Sequence, residues 1–152
     1  MMRPVNENVT MAHVEEVAHR GVLRRGYERR RVGEVLKSVD TRAASQSMAV
    51  SSLSGGNQQK VLFAKWLFQA PRALLADEPT RGVDVGAKRA IYELIHDLAA
   101  KGLGVLLISS ELEEVIGLAH RVLVVRAGRI VAEFAGGEVN EESVMRAAFG
   151  GV

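Results

Sequence analysis

Ala73-Leu74-Leu75-Ala76-Asp77-Glu78-Pro79-Thr80 is the stretch on which the fold turns. A short apolar run ends abruptly in two adjacent acids. Its length suits a buried strand, and the acids stand where a strand gives way to a loop. Downstream, Ala87 to Ala100 places Ile91, Leu94, Ile95 and Leu98 on one helical face, with Gly102 and Gly104 at its exit. Val105-Leu106-Leu107-Ile108 then predicts a second buried strand, and Glu111 to Ala119 a short helix with acids in its first turn. Val122–Val125 and Ile130–Phe134 predict two further strands joined across Ala127-Gly128, where Gly128 is the residue suited to positive φ. A last helix is expected over Glu141 to Phe149. Strand and helix in alternation predict an α/β fold with an open, mostly parallel sheet. Ligands on such sheets sit at the carboxyl ends of the strands, which directs attention to Asp77 and to Ser109-Ser110.

Upstream the character changes. Residues 1–50 are polar, Arg-rich and helical in pattern, with no obvious strand. Val32, Val35, Leu36 and Val39 recur at helical spacing. Ser45 to Ser52 reads as a loop. A helix then starts near Ser54-Gly55-Gly56, turns Val61, Ala64, Leu67 and Phe68 to one side, and stops before Pro71. The organisation expected is therefore a helical segment over 1–70 and an α/β segment over 71–152.

Bulk properties set the outer limits. The chain has 152 residues, 47% hydrophobic and 25% charged, enough for a core built from Leu, Val, Ile and Ala, since aromatics are only 5%. The absence of cysteine excludes disulfides and thiolate metal sites. No apolar run approaches the roughly 18 residues of a membrane span, and the first residues lack the apolar stretch of a secretion signal. Net charge is +2, so the basic excess is local: Arg20, Arg24, Arg25, Arg29, Arg30 and Arg31, interrupted by Glu28. Such a run can meet nucleic acid or anionic lipid. No aromatic stacking pattern accompanies the run, so it reads as a solvated helix face, and no nucleic-acid partner is expected. His13, His19 and His96 have no metal-ligand spacing, Trp66 reads as packing, and Glu113-Glu114 read as a solvated helix face.

Two elements carry chemistry. Asp77 and Glu78 offer hard oxygen ligands for Mg²⁺ and a carboxylate placed to orient or deprotonate a water. Ser54-Gly55-Gly56 opens a helix, where free N–H groups, two glycines and a hydroxyl suit a phosphate. Taken alone, the first is also a pair of loop acids and the second a simple Ser cap.

Leu53-Ser54-Gly55-Gly56-Asn57-Gln58-Gln59-Lys60, followed by Asp77-Glu78-Pro79-Thr80 and Gly82-Val83-Asp84, resembles the ATP-binding subunits of ABC transporters. More narrowly it resembles the C-terminal part of the second nucleotide-binding domain of ribose-type sugar importers, over nearly the whole chain. The resemblance implies a partial P-loop NTPase core, with 1–70 as the remainder of the helical subdomain including the signature helix and 71–152 as the core from Walker B onward. It implies that Ser54, Gly55, Gly56 and Gln58 contact a nucleotide held by another nucleotide-binding domain. Asp77 matches the Mg²⁺-associated aspartate, Glu78 the catalytic glutamate, and Asp84 the aspartate of the loop that links the two sites of the dimer. Implied partners are that second domain, transmembrane permease subunits and, indirectly, a sugar-binding protein. The implied location is cytoplasmic, peripheral on the inner face of the cell membrane.

The sequence departs from the family twice. A phosphate loop needs Gly-Lys before Ser or Thr, yet none of Lys37, Lys60, Lys65, Lys88 and Lys101 follows a glycine. The aromatic adenine platform and the glutamine loop have no counterpart either, as if the chain began downstream of them. The family's histidine after the next strand is Ser110 here. Second halves of sugar importers often show this loss. ATP and Mg²⁺ are therefore expected in the complete assembly only, and the chain alone is expected to be inactive. With sheet edges uncovered it is expected to self-associate. The alternatives are an ABC-type ATPase of DNA maintenance, against which stands the lack of long heptad insertions, or a truncated relic with no catalytic role.

Overall fold

The computed structural model describes residues 3–150, which divide into two compact units. The division cuts through two strands, so each unit is taken separately.

The first unit contains the chain up to Leu74 together with Pro79–Val105. It holds helices α1 (Val5–Thr10), α2 (Val14–Val17), α3 (Arg25–Ser38), α4 (Gly55–Leu67) and α5 (Val85–Ala100), with a 3₁₀ turn at Val50–Ser52. α4 is its centre, packing on α1, α3 and α5. The expected faces are the buried ones: Val32, Val35, Leu36 and Val39 on and after α3, Val61, Ala64 and Phe68 along α4, and Ile91, Leu94, Ile95 and Leu98 on α5. α4 ends at Leu67, ahead of Pro71, and the chain turns through Ala70 at φ 49°.

The helical first third also contains a small antiparallel hairpin that the sequence pattern did not announce, β1 (Ala18–His19) with β2 (Val22–Leu23). Two-residue strands are too short to show alternation. Much of the Arg-rich run is used internally. Arg24 and Arg30 lie over the Tyr27 ring at 4.9 and 5.5 Å. Arg31 donates to Glu34 at 2.8 Å and lies 5.6 Å from the Phe68 ring. That hydrogen bond to Glu34 is the main reason its guanidinium is held above the ordinary value. Glu28 is buried and accepts the Thr10 hydroxyl at 2.9 Å.

The second unit contains Leu75–Glu78 and the chain from Leu106 onward. β5 (Arg121–Arg126) and β6 (Arg129–Ala135) form an antiparallel hairpin, followed by α7 (Glu141–Phe149), while α6 (Leu112–Leu118) precedes it. Val122, Val124 and Val144 centre its core, with Leu112, Val115 and Phe134 packed around them. Both turn residues of the hairpin have positive φ, Ala127 at 49° and Gly128 at 73°. A type I′ turn requires this of both central residues. Ala127 therefore takes a conformation expected of glycine alone, while Gly128 takes it without cost.

β3 (Ala73–Asp77) and β4 (Gly104–Ile108) pair as a two-stranded sheet. The Gly104 N–H donates to Arg72 O at 3.1 Å and the Glu78 N–H to Ile108 O at 2.8 Å. These bonds set a parallel register that pairs Ala73 with Gly104 and Asp77 with Ile108. The α/β class is thus realised as a parallel pair bridged by α5, with the antiparallel β5–β6 hairpin downstream.

Two expectations fail in this region. β4 is not a buried strand: Leu106 and Ile108 are 52% and 50% exposed, and Leu75, level with Leu106 in the register, is 70% exposed. One face of the pair stands open while the other carries the buried Leu74 and Ala76. Glu113 is exposed as expected, but Glu114 is buried because it lies on the inner side of α6.

Candidate functional site

Ser54, Gly55, Gly56, Gln58 and Asp84 lie in the first unit, and Asp77, Glu78 and Ser110 in the second.

In the first unit Ser54 occupies the N-cap of α4 in extended geometry, φ −61° and ψ 155°, yet its side chain caps no helix amide. Ser54 thus starts α4 through its backbone, whose carbonyl accepts the Gln58 N–H at 2.9 Å, without the side-chain bond of a serine cap. Its Oγ instead accepts from the Asn57 side chain at 2.9 Å. Ser54 and Gly55 are exposed. Gln58 turns its amide back to Leu53 O at 2.8 Å, bracing the loop that enters the helix.

Gly56 is buried, and its glycine identity has a packing reason. A Cβ on it would lie 2.7 Å from the Ala87 Cβ on α5, too close for any side chain. Helices α4 and α5 meet at this point. Asp84 caps α5, accepting the Ala87 N–H at 3.0 Å. Gly56 and the capped turn of Asp84 therefore share one neighbour, Ala87.

Lys60 closes the other side. Its stem is buried, and its ammonium donates to Asp40 O at 3.0 Å and to the Asp40 carboxylate at 3.2 Å. Asp40 stands at φ 48° in the turn after α3. A cavity of about 440 Å³ opens here, lined by Asp40, Arg42, Ser54, Asn57 and Lys60 among others. Asn57, Lys60 and Asp40 had no individual signal in the sequence, because the bonds that tie them to the loop after α3 or to α4 span 15 to 20 residues.

In the second unit the parallel register brings Glu78 and Ser110 together. The Ser110 backbone N–H donates to Glu78 Oε1 at 2.9 Å. The contact uses the amide, not the hydroxyl that replaces the expected histidine. The neighbouring Ser109 hydroxyl accepts the Glu111 N–H at 3.0 Å. Glu78 holds φ 47°, an uncommon value outside glycine that turns the chain sharply at the end of β3. Asp77 is exposed at the last position of β3. Magnesium takes oxygen ligands and commonly uses one or two carboxylates beside phosphate oxygens. An exposed Asp77 carboxylate fits that demand. Among the described residues no helix is long and apolar enough to cross a membrane.

The chain resembles known proteins in sequence and in fold. Residues 2–81 match the sequence profile of a family described as ABC transporter. A ribose import ATP-binding protein of Geobacillus kaustophilus is 48% identical over 97% of this chain and 30% of its own length. A xylose import ATP-binding protein of the same organism is 45% identical over 95% of this chain and 29% of its own length. The chain thus spans about three-tenths of the length of these curated relatives. Among solved structures, a dimeric post-hydrolysis state of the ATP-binding cassette MJ0796 bound to ADP and Pi superposes with TM-score 0.71 at 25% identity, over 88% of this chain and 56% of that one. The cbiO1 subunit from Clostridium perfringens, part of a transporter complex, shares the fold with TM-score 0.74 at 22% identity, over 96% of this chain and 57% of that one. With Leu53–Lys60 at the start of α4, Asp77-Glu78 at the end of β3 and the family profile matched over residues 2–81, the chain belongs to the ABC transporter family.

Proposed function

We propose that the chain is the C-terminal part of the second nucleotide-binding domain of a sugar importer's ATP-binding subunit, and that it lends its signature to a nucleotide held by another domain. In this reading residues 1–70 are the rest of the helical subdomain and 71–152 the core from Walker B onward. The observation that carries it is Ser54: an exposed hydroxyl at a helix N-terminus that makes no cap bond, inside the segment Leu53–Lys60. The ribose and xylose import relatives support the substrate class.

The chemistry follows from the groups present. Ser54 Oγ and the free N–H groups at the start of α4 suit phosphate oxygens. Asp77 would hold Mg²⁺, which supplies charge neutralisation at the phosphates when bound. Glu78 keeps one oxygen on the Ser110 amide and has the other for a water. Asp84 fixes the first turn of α5 beside Gly56. Without a Gly-Lys phosphate loop the chain lacks the oriented amides and the lysine charge that grip a nucleotide. Hydrolysis therefore belongs to the assembly, with permease subunits and a second nucleotide-binding domain as partners and the inner membrane face as its place.

Turnover assays on the purified chain test this. The expected result is no ATP hydrolysis alone and stimulated hydrolysis when a cassette half bearing a phosphate loop is added. ATP turnover by the chain alone that Glu78→Gln abolishes would sink the proposal.

A further inference from the structure

Asn57 joins two groups far apart in sequence. Its Oδ1 accepts the Arg42 backbone N–H at 2.8 Å, and its Nδ2 donates to Ser54 Oγ at 2.9 Å. The orientation of this amide is determined by chemistry. A backbone N–H only donates, so the carbonyl oxygen must face Arg42 and the NH₂ must face Ser54. Ser54 Oγ therefore receives a hydrogen from Asn57. Its own hydrogen is not given to Asn57, and its oxygen accepts no amide of α4.

Asn57 is the third residue of α4. A side chain there ordinarily reaches back to the N-cap backbone. Here it reaches the N-cap side chain instead, and its other end is anchored on the loop after α3. Lys60, one turn further on, pins the same loop through Asp40. The loop and the serine are thus held in one frame at the edge of the 440 Å³ cavity.

We propose that Asn57 is a positioning residue that makes Ser54 a one-way hydrogen-bond donor toward an anionic phosphate oxygen. The inference rests on the reading that Ser54 meets a nucleotide phosphate. It adds the reason for an amide at position 57. A carboxylate there has no donor, would still accept the Arg42 N–H, and would draw the Ser54 hydrogen inward.

The test measures Mg·ATP-dependent association of the full chain with a cassette half that carries a phosphate loop. The variants are Ser54→Ala, Asn57→Asp, Asn57→Ala and the double Ser54→Ala/Asn57→Asp. Ser54→Ala and Asn57→Asp should each weaken association on the order of tenfold, the worth of one hydrogen bond to a charged group. Asn57→Ala, which releases the serine without redirecting it, should lose less. The double variant should be little weaker than Asn57→Asp alone, because both changes remove the same donor. Thermal midpoints should stay close for the isosteric Asn57→Asp, which keeps the Arg42 bond. Parental affinity in Asn57→Asp with loss in Ser54→Ala would overturn the positioning role and leave the phosphate reading intact. Full additivity in the double variant would reduce the effect to charge repulsion and also overturn it. Parental affinity in Ser54→Ala would remove the underlying reading, and this inference with it.

Discussion

The Ser110 backbone N–H donates to Glu78 Oε1 at 2.9 Å, tying the acid after β3 to the second residue beyond β4. Glu78 accepts this bond while its own backbone stands at φ 47°. The site thus combines a favourable bond to a charged group with an unfavourable conformation. Glu78→Ala loses the bond and keeps the strain, whereas Glu78→Gly loses the bond and relieves the strain. Glu78→Gly should therefore be more stable than Glu78→Ala by about 1 kcal/mol, the usual penalty for a side chain at positive φ. Urea denaturation followed by amide exchange at Ser110 checks the order. Equal stability of the two variants would show that the conformation carries no strain.

Gly56 and Ala87 make a compensation test. Gly56→Ala places a methyl against Ala87 and should destabilise by about 1–3 kcal/mol, the usual cost of overpacking. Ala87→Gly alone should cost about 0.5–1 kcal/mol in helix propensity. Together they should recover most of the Gly56→Ala loss in denaturation midpoint. Failure of the double variant to recover would mean that Gly56 is needed for something other than contact with Ala87.

Asp84 caps α5 through the Ala87 N–H. Asp84→Ala should cost about 0.5–2 kcal/mol, and Asp84→Ser, which keeps an acceptor, a few tenths. Circular dichroism melts separate these. Any loss of ATP-dependent association in Asp84→Ser, at unchanged melting, would then assign the carboxylate a role beyond capping.

Leu75 and Leu106 are level on the open face of the β3–β4 pair, with Ile108 beyond them. Apolar side chains on an uncovered parallel pair favour association, since parallel sheets are ordinarily covered on both faces. Light scattering of the chain should show concentration-dependent self-association, reduced in Leu75→Lys and Leu106→Lys. A monomer at high concentration in the parent would contradict this.

Where the sequence was readable, short-range physics was responsible. α7 runs over Glu141–Phe149 as expected, since Asn140 accepts the Ser143 N–H at its start and Gly150 stands left-handed at its end. The inner face of α5 follows directly from helical spacing. The β1–β2 hairpin was hidden because two residues carry no period, and Ala127 at positive φ runs against its own preference. β4 has the composition of a covered strand, but composition does not say whether anything lies on it. The candidate site residues were legible through their motif. What holds them was not: Asn57 with Arg42, Lys60 with Asp40 and Gly56 against Ala87 are contacts between segments that no local pattern encodes.

Calorimetric titration of Mg·ATP bears most directly on the proposed shared site. It would be run into the chain alone, and into an equimolar mixture with a cassette half bearing a phosphate loop, with parental and Ser54→Ala chains. The expected result is no saturable binding by the chain alone, and binding by the mixture that the parental chain tightens and Ser54→Ala does not. Saturable binding by the chain alone, or a mixture in which Ser54→Ala equals the parent, would contradict the claim that Ser54 serves a nucleotide held by another domain.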